Sequence, residues 1–216
     1  MIERRVATRD HTERLLQWFG AAIEITGDEI SQTRTCTVVG PATFSGCEVR
    51  VPGDFSSAAF FIAAAALLPG SELAIPAVGL NPTRIQFLET LRSLGAKIEI
   101  TEAQVDCNEP LGTIRIQGTD ALGPTDGVSP LTINGQVTAA LIDELPLLAV
   151  VGTQVPGGLC IRDARELRYK ETDRIAATAQ NLRAMGAEVE EYDDGLEVGG
   201  VVRLKGPNSM HTGIIG

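Results

Sequence analysis

An internal repeat constrains the fold of this chain more strongly than any single motif does. Its first copy is AAAALLPGSELAI (63–75) followed by LRSLGAKIEI (91–100), and its second is AVVGTQVPGGLCI (149–161) followed by LRAMGAEVEE (182–191). Each copy predicts an apolar helix, a Pro/Gly turn, a short strand, a second helix that ends in Gly-Ala, and then β-branched strands. The sequence therefore predicts an α/β protein that contains two copies of one supersecondary unit.

The second helix of each copy has its own start and stop signals. In the first copy Asn81 is a candidate N-cap, with Pro82 at the first helical position, and Gly95 ends the helix. In the second copy Thr172 takes the capping place and Gly186 ends the helix. The apolar stripes between these signals are Ile85, Leu88 and Leu91 in the first copy and Ile175, Ala179, Leu182 and Met185 in the second. The matching stops support one register for both copies.

The segment ahead of the repeats predicts a short helix and then a strand. Thr8 precedes the helix, which ends near Gly20. The apolar face of this helix consists of Leu15, Leu16 and Phe19. A strand is expected at 48–51, and the turn VPGD (51–54) then leads into the first repeat with Asp54 as a candidate N-cap. We place the one expected domain boundary at this turn.

The composition is typical of a folded, soluble protein. Of the 216 residues, 44% are hydrophobic and 21% are charged, which is enough for a hydrophobic core. The net charge of -10 opposes non-specific binding to nucleic acid or to anionic membranes. Four scattered cysteines and two histidines show no metal-ligand spacing, and the longest apolar run, 58–68, is too short to span a bilayer. We expect a cytoplasmic protein with no metal, no nucleic-acid partner and no membrane partner.

Charged residues are concentrated in the second repeat, where nine fall within thirteen positions: Arg162, Asp163, Arg165, Glu166, Arg168, Lys170, Glu171, Asp173 and Arg174. Lys170 and Arg174 share one face if the first helical turn already includes both. Because a helix start also presents unpaired backbone N–H groups, the segment is a candidate phosphate or carboxylate site. The alternative is a solvated helix start with surface ion pairs, and periodicity alone favours that alternative.

Two further segments contain candidate functional residues. Asp143 and Glu144 lie in the strongly apolar stretch ALIDELPLLAV (140–150), where a carboxyl group can have a raised pKa and act as a general base. The alternative is that the two acids merely start or cap a helix with Pro146 in its first turn. Arg9 precedes the first expected helix and is a candidate anion contact, although a surface arginine is the simpler interpretation.

Several common functional motifs are absent from the sequence. It contains no GxxxxGK[ST], GxGxxG or GxSxG pattern, which argues against a nucleotide-binding loop and a serine hydrolase. Aromatic residues make up only 4% of the chain, so a stacking platform for single-stranded nucleic acid is poorly supported. The residues by themselves indicate an anion-binding repeat protein.

Five ordered segments resemble the 5-enolpyruvylshikimate-3-phosphate synthases, a family of enolpyruvyl transferases: ATRDHTERLL, VPGDFSSAAFFIAAAALLPGS, NPTRIQFLETLRSLGA, IDELPLLAV and ELRYKETDRIA. The resemblance implies an inside-out α/β barrel fold with two domains, each built from three βαβαββ units whose helices pack inward. Residues 1–52 would then be the end of the first domain and the crossover. Residues 53–216 would be two units of the second domain, with the third unit missing.

The resemblance also implies an activity and a set of roles. The family transfers the enolpyruvyl group of phosphoenolpyruvate to the 5-hydroxyl of shikimate 3-phosphate and releases phosphate, without a metal or an organic cofactor. The roles implied by motif match are phosphoenolpyruvate binding for Lys170 and Arg174, proton transfer for Glu171, proton abstraction and hydroxyl binding for Asp143, proximity to the shikimate ring for Glu166, and phosphate binding for Arg9.

The chain also departs from the family pattern. The usual N-terminal phosphate-binding motifs are absent, and GPNSMHTGIIG (206–216) replaces an expected Gly-Asp-His-Arg segment. We therefore expect this chain alone to have little or no turnover, and a complementary chain or self-association through an unpaired apolar face to be involved. The alternatives are a UDP-N-acetylglucosamine enolpyruvyl transferase and a non-catalytic anion-binding or assembly domain.

Overall fold

The computed structural model describes residues 2–6, 9–28, 33–120, 122–123 and 130–206. The segment ahead of the repeats forms a three-stranded antiparallel sheet of order β1-β3-β2 with one helix. Its elements are β1 (Ile2–Val6), α1 (His11–Trp18), β2 (Ile23–Asp28) and β3 (Thr33–Val38).

The first repeat forms a sheet of order β4-β6-β5 with two helices. Its elements are α2 (Phe55–Leu67), β4 (Glu72–Gly79), α3 (Gln86–Ser93), β5 (Lys97–Asp106) and β6 (Glu109–Gln117). Both strand pairs are antiparallel. Ahead of α2, Gly53 forms a single parallel bridge to Val78 of β4, in the place where an opening strand of the unit would lie.

The second repeat forms a four-stranded sheet of order β7-β8-β10-β9. Its elements are β7 (Leu131–Ile133), α4 (Gly135–Ala140), α5 (Leu145–Gly152), β8 (Leu159–Ile161), a 3₁₀ helix (Arg165–Tyr169), α6 (Arg174–Ala184), β9 (Val189–Tyr192) and β10 (Gly195–Val198). The β7–β8 pair is parallel and the other two pairs are antiparallel. This is the expected βαβαββ unit, and the predicted α/β fold class is confirmed.

The structure also reveals a third, shorter copy of the topology that the sequence did not reveal. In β1-α1-β2-β3 the last strand of the segment inserts between the other two. The same insertion occurs in β4-α3-β5-β6 and in β8-α6-β9-β10. The N-terminal segment therefore has the topology of the last three strands of a unit.

The two repeats bury their helices in one hydrophobic core against the inner faces of their sheets. Ala59 and Ile62 of α2, Leu148 of α5, and Ile114 and Ile116 of β6 are fully buried. The alanine-rich sequence of α2 allows neighbouring elements to pack close to this helix, because alanine side chains are small. The expected inward packing of the helices is thus observed.

Of the N-caps predicted for α2 and α6, one is observed and the other is replaced by a neighbouring residue. Asp54 accepts a hydrogen bond from the backbone N–H of Ser57 at 2.7 Å, as predicted for an N-cap. Asp173, rather than the predicted Thr172, caps α6 by accepting from the N–H of Ala176 at 2.9 Å. Either residue type can cap, and the extended backbone of Asp173 decides between them.

The predicted start of α3 is wrong by several residues. Asn81 closes a turn by accepting from the N–H of Thr83 at 2.9 Å, and α3 begins only at Gln86. The predicted stops are confirmed, because Gly95 and Gly186 have φ angles of +88° and +95°. Such left-handed angles favour glycine.

Two predictions for the N-terminal segment differ from the structure. The expected strand at 48–51 does not form; this stretch is irregular and its apolar residues are exposed to solvent or line a cavity. The helix forms, but Leu15 on its predicted apolar face is exposed. Thr8 and the tail from 207 onward lie outside the described residues.

An exposed apolar patch is present on α2, where Phe60 and Phe61 are 62% and 64% exposed. A patch of this kind was expected from the sequence, whereas association through it stays a prediction. Among the described helices, none combines the length and the apolar character that crossing a membrane requires.

Candidate active site

The candidate site is centred on Asp143, which lies between α4 and α5 just ahead of the first turn of α5. Its carboxylate accepts a hydrogen bond from the guanidinium of Arg9. Arg84 Nη1 lies 3.8 Å from its Oδ2, and Arg174 Nη1 lies 4.0 Å from its Oδ1. Three arginines from three different parts of the chain thus converge on one carboxylate.

The second repeat adds two local ion pairs to the site. Lys170 Nζ lies 2.7 Å from Glu166 Oε1, and Arg174 Nη2 donates to Glu171 Oε2 at 2.7 Å. The carboxylates of Glu166 and Glu171 are largely exposed, so both ion pairs lie at the surface. This agrees in part with the interpretation as surface ion pairs, but Arg174 also reaches Asp143 and therefore belongs to the site.

Lys170 and Arg174 do not share a helix face, because the stated condition, a first helical turn that includes both residues, is not met. Lys170 follows the 3₁₀ helix in an extended conformation, and Arg174 is the first residue of α6. The chain turns between them, with Asp173 capping the helix. This turn, and not helical spacing, brings the two cations close to Asp143.

Beneath Asp143 lies a buried polar network that joins the two repeats. Arg84 Nη2 donates to the hydroxyl of Ser56 at 2.6 Å, and this hydroxyl donates to Oε1 of Glu144. Arg84 Nη2 is also 3.6 Å from the same carboxylate oxygen. Ser56 belongs to α2 and Arg84 to the turn before α3, whereas Glu144 is the N-cap residue of α5.

The two adjacent carboxyl groups have opposite electrostatic environments. Burial by itself would raise the pKa of Asp143, but the hydrogen bond from Arg9 and the charges of Arg9, Arg84 and Lys170 outweigh it and hold that pKa below its usual range. Burial raises the pKa of Glu144 despite its hydrogen bond with Ser56. The predicted raised pKa therefore belongs to Glu144, and the prediction for Asp143 was wrong because nearby cations stabilise its charged form.

The lowered pKa of Asp143 predicts a pH-dependent contribution to stability. A carboxyl group whose pKa is lowered by folding stabilises the fold above its unfolded pKa, near 3.8, and this contribution disappears as the pH falls through the folded value. We expect Asp143→Asn to lower the free energy of unfolding at pH 7 and to have a smaller effect at pH 3. Urea unfolding of both proteins at the two pH values measures this, and an equal difference at both would contradict it.

The structure thus brings together Arg9, Asp143, Lys170 and Arg174, with Glu166 and Glu171 attached through their ion pairs. Sequence reasoning did not identify Arg84 or Ser56 as site residues. Arg84 follows the cap-like sequence Asn-Pro-Thr, which predicts a helix start and contains no signal that the next arginine belongs to a site.

A cavity of about 340 Å³ lies beside this site, at the turn that leads into α2. Asn81 and Glu109 line it, and Asn81 Nδ2 donates to Glu109 Oε2 at 3.1 Å and to Asp10 Oδ1, outside the lining, at 2.8 Å. His11 Nδ1 lies 2.7 Å from Glu109 Oε1. The cavity includes Arg84 in its lining but not Asp143, so its volume is not the space in which the clustered charges meet.

Comparison with known proteins gives a consistent assignment. The family model described as "EPSP synthase (3-phosphoshikimate 1-carboxyvinyltransferase)" matches residues 2–212. A 3-phosphoshikimate 1-carboxyvinyltransferase of Koribacter versatilis is 48% identical over 205 residues, which are 95% of this chain and 45% of that protein. One from Gloeothece citriformis is 44% identical over 199 residues, which are 92% of this chain and 42% of that protein.

A solved structure supports the same assignment at the level of the fold. EPSP synthase from Acinetobacter baumannii superimposes with a TM-score of 0.76 at 31% identity, over 92% of this chain and 43% of that protein. The chain thus spans about half the length of the curated relatives it matches. The family match, the relatives and the repeated α/β units agree, and this chain belongs to the EPSP synthase family.

Proposed function

We propose that this chain contributes part of the active site for enolpyruvyl transfer from phosphoenolpyruvate to the 5-hydroxyl of shikimate 3-phosphate, with release of phosphate. The observation that supports this most directly is the convergence of Arg9, Lys170 and Arg174 around Asp143. These residues come from three separate motifs, to which the family resemblance assigned roles with these two substrates. Both substrates are anionic, so a cluster of cations around a carboxylate suits them.

Each residue has a role that its surroundings allow. Arg9 binds the phosphate of shikimate 3-phosphate, and Asp143 accepts hydrogen bonds from the shikimate hydroxyls. Once Arg9 turns to the phosphate, Asp143 loses its strongest partner and becomes a better base for the proton of the attacking hydroxyl. Binding of the acceptor and activation of its hydroxyl are then coupled through one ion pair.

The roles of the second repeat follow the same logic. Lys170 and Arg174 bind the carboxylate and phosphate of phosphoenolpyruvate, and Glu171 transfers a proton at its methylene carbon. Glu166 lies near the shikimate ring. Each of the cations described around Asp143 contacts a carboxylate: Arg9, Arg84, Lys170 and Arg174. A substrate must therefore displace existing ion pairs, which makes its affinity for this chain modest.

A binding experiment tests the proposal without requiring turnover. We expect calorimetric titration to detect shikimate 3-phosphate binding, and Arg9→Gln to weaken it about tenfold or more, because a charge-assisted contact to phosphate contributes about 1.5–3 kcal/mol. Arg183→Gln is the control, since Arg183 lies on α6 but donates to the carbonyl of Val189 instead. That variant should bind as the wild type does.

The same titration separates the alternatives. Displacement of shikimate 3-phosphate by UDP-N-acetylglucosamine would favour the alternative of a UDP-N-acetylglucosamine enolpyruvyl transferase. Equal affinities for inorganic phosphate and shikimate 3-phosphate would favour a non-catalytic anion-binding domain. Failure of the wild type to bind shikimate 3-phosphate would contradict the proposal.

We also propose a domain assignment and a partner. Residues 1–52 end the first domain of the family fold and cross to the second, and 53–216 supply two of its units. The shortened copy β1-α1-β2-β3 followed by two repeats supports this division. A complementary chain or a second copy would then contribute the remaining groups of the site, and the exposed Phe60 and Phe61 are candidates for that contact.

A further inference from the structure

The family resemblance assigned no role to Arg84, yet hydrogen bonds fix both its backbone and its side chain. It lies in the turn before α3, and its backbone N–H donates to the carbonyl of Asn81 at 2.8 Å. The buried side chain of Asn81 fixes the same turn by accepting from the N–H and the hydroxyl of Thr83 at 2.9 and 2.7 Å. The side chain of Arg84 therefore extends from a backbone turn that has little conformational freedom.

The guanidinium of Arg84 connects the two repeats at one point. It donates to Ser56 at 2.6 Å and lies 3.6 Å from Glu144 and 3.8 Å from Asp143. Glu144 is 2% exposed, and a carboxyl group so deeply buried needs a nearby cation or hydrogen-bond donor. Arg84 and Ser56 provide both, so the pair of acids at the start of α5 is anchored from the first repeat.

Arg9 and Arg84 differ in how freely they can leave Asp143. The side chain of Arg9 is 42% exposed, whereas that of Arg84 is 14% exposed. Under the proposed function Arg9 turns away to a substrate phosphate. Arg84 has Ser56 and Glu144 as further partners, so it stays beside Asp143 when Arg9 leaves.

We propose that Arg84 is a positioning residue, which holds the Asp143 carboxylate in place and stabilises its negative charge while Arg9 binds substrate. The substrate part of this inference rests on the proposed function, but the effect of Arg84 on Asp143 does not. The side chain of Ser56 belongs to the same hydrogen-bond network, because it links Arg84 to Glu144. Residues of the first repeat would thus position and electrostatically stabilise Asp143, the proton-accepting group of the second repeat.

The test compares Arg84→Gln, Arg84→Lys and Arg92→Gln with the wild-type chain. Arg92 is the matched control because it lies at the other end of α3 and pairs with Glu89. Titration of the Asp143 carboxyl carbon by NMR reports its pKa, and calorimetry reports the affinity for shikimate 3-phosphate. We expect Arg84→Gln to raise the pKa of Asp143 and to weaken binding about tenfold or more.

Arg84→Lys keeps one charge but loses the forked contact, so both readouts should fall between wild type and Arg84→Gln. It also carries the test if the glutamine variant does not fold. Arg92→Gln should leave both readouts unchanged. An Asp143 pKa that is unchanged in the folded Arg84 variants would overturn the inference. A raised pKa together with no substrate binding by the wild type would support the role of Arg84 while contradicting the proposed function.

Discussion

The 216-residue polypeptide, assayed alone with phosphoenolpyruvate and shikimate 3-phosphate, should release phosphate at least about 10⁴-fold more slowly than a full-length family enzyme. The chain covers 43% of the solved Acinetobacter baumannii EPSP synthase, which is a suitable comparator. Each missing group that stabilises the transition state costs about 10²-fold or more, so the absence of only two produces this loss. A coupled phosphate-release assay of both proteins in parallel measures it.

The control for this assay is a mixture of the chain with a polypeptide that carries the remaining family sequence. A rise in phosphate release on mixing would show that the chain is competent but lacks partner groups. A rate for the isolated chain within tenfold of the full-length enzyme would contradict the prediction. It would mean that the described cluster around Asp143 provides far more of the transition-state stabilisation than its contacts suggest.

Local signals predicted the repeated units well, because each unit begins and ends at residues with strong intrinsic preferences. Asp54 caps α2 and Gly95 and Gly186 end their helices as expected, since capping and left-handed angles depend on a few neighbouring atoms. The prediction of a strand at 48–51 was wrong because strand formation does not depend on local residues alone. A strand needs a partner, and this stretch forms no ladder despite its apolar residues.

The site shows the same limit of sequence reasoning. The motifs indicated Arg9, Asp143 and Arg174, and the structure brings them together. They could not indicate Arg84 or the environment of Asp143, because those depend on packing between two repeats that brings together residues distant in the sequence. The raised pKa was predicted for the wrong one of two adjacent acids, since burial and charge are set by that packing.

The turn that precedes β8 depends on a glycine for two separate reasons. Gly158 has a φ of +78°, and a Cβ atom there would lie 2.1 Å from the carbonyl oxygen of Val198 in β10. Its own carbonyl accepts from the N–H of Leu131 at 3.2 Å, at the start of β7. A displacement of this residue would therefore disturb the strands on both sides of β8.

Gly158→Ala should destabilise the fold by about 4 kcal/mol, because the clash involves backbone atoms that cannot move aside cheaply. In a chain of this size the loss corresponds to a fall in the melting temperature of about 10 °C. Gly186→Ala is the matched control, since Gly186 also has a positive φ but no atom lies within 4 Å of its added Cβ. That variant should cost only about 1 kcal/mol, the penalty for the backbone angle. Thermal unfolding of both variants separates the two causes, and equal losses would show that the angle alone, rather than the contact with β10, requires glycine at this turn.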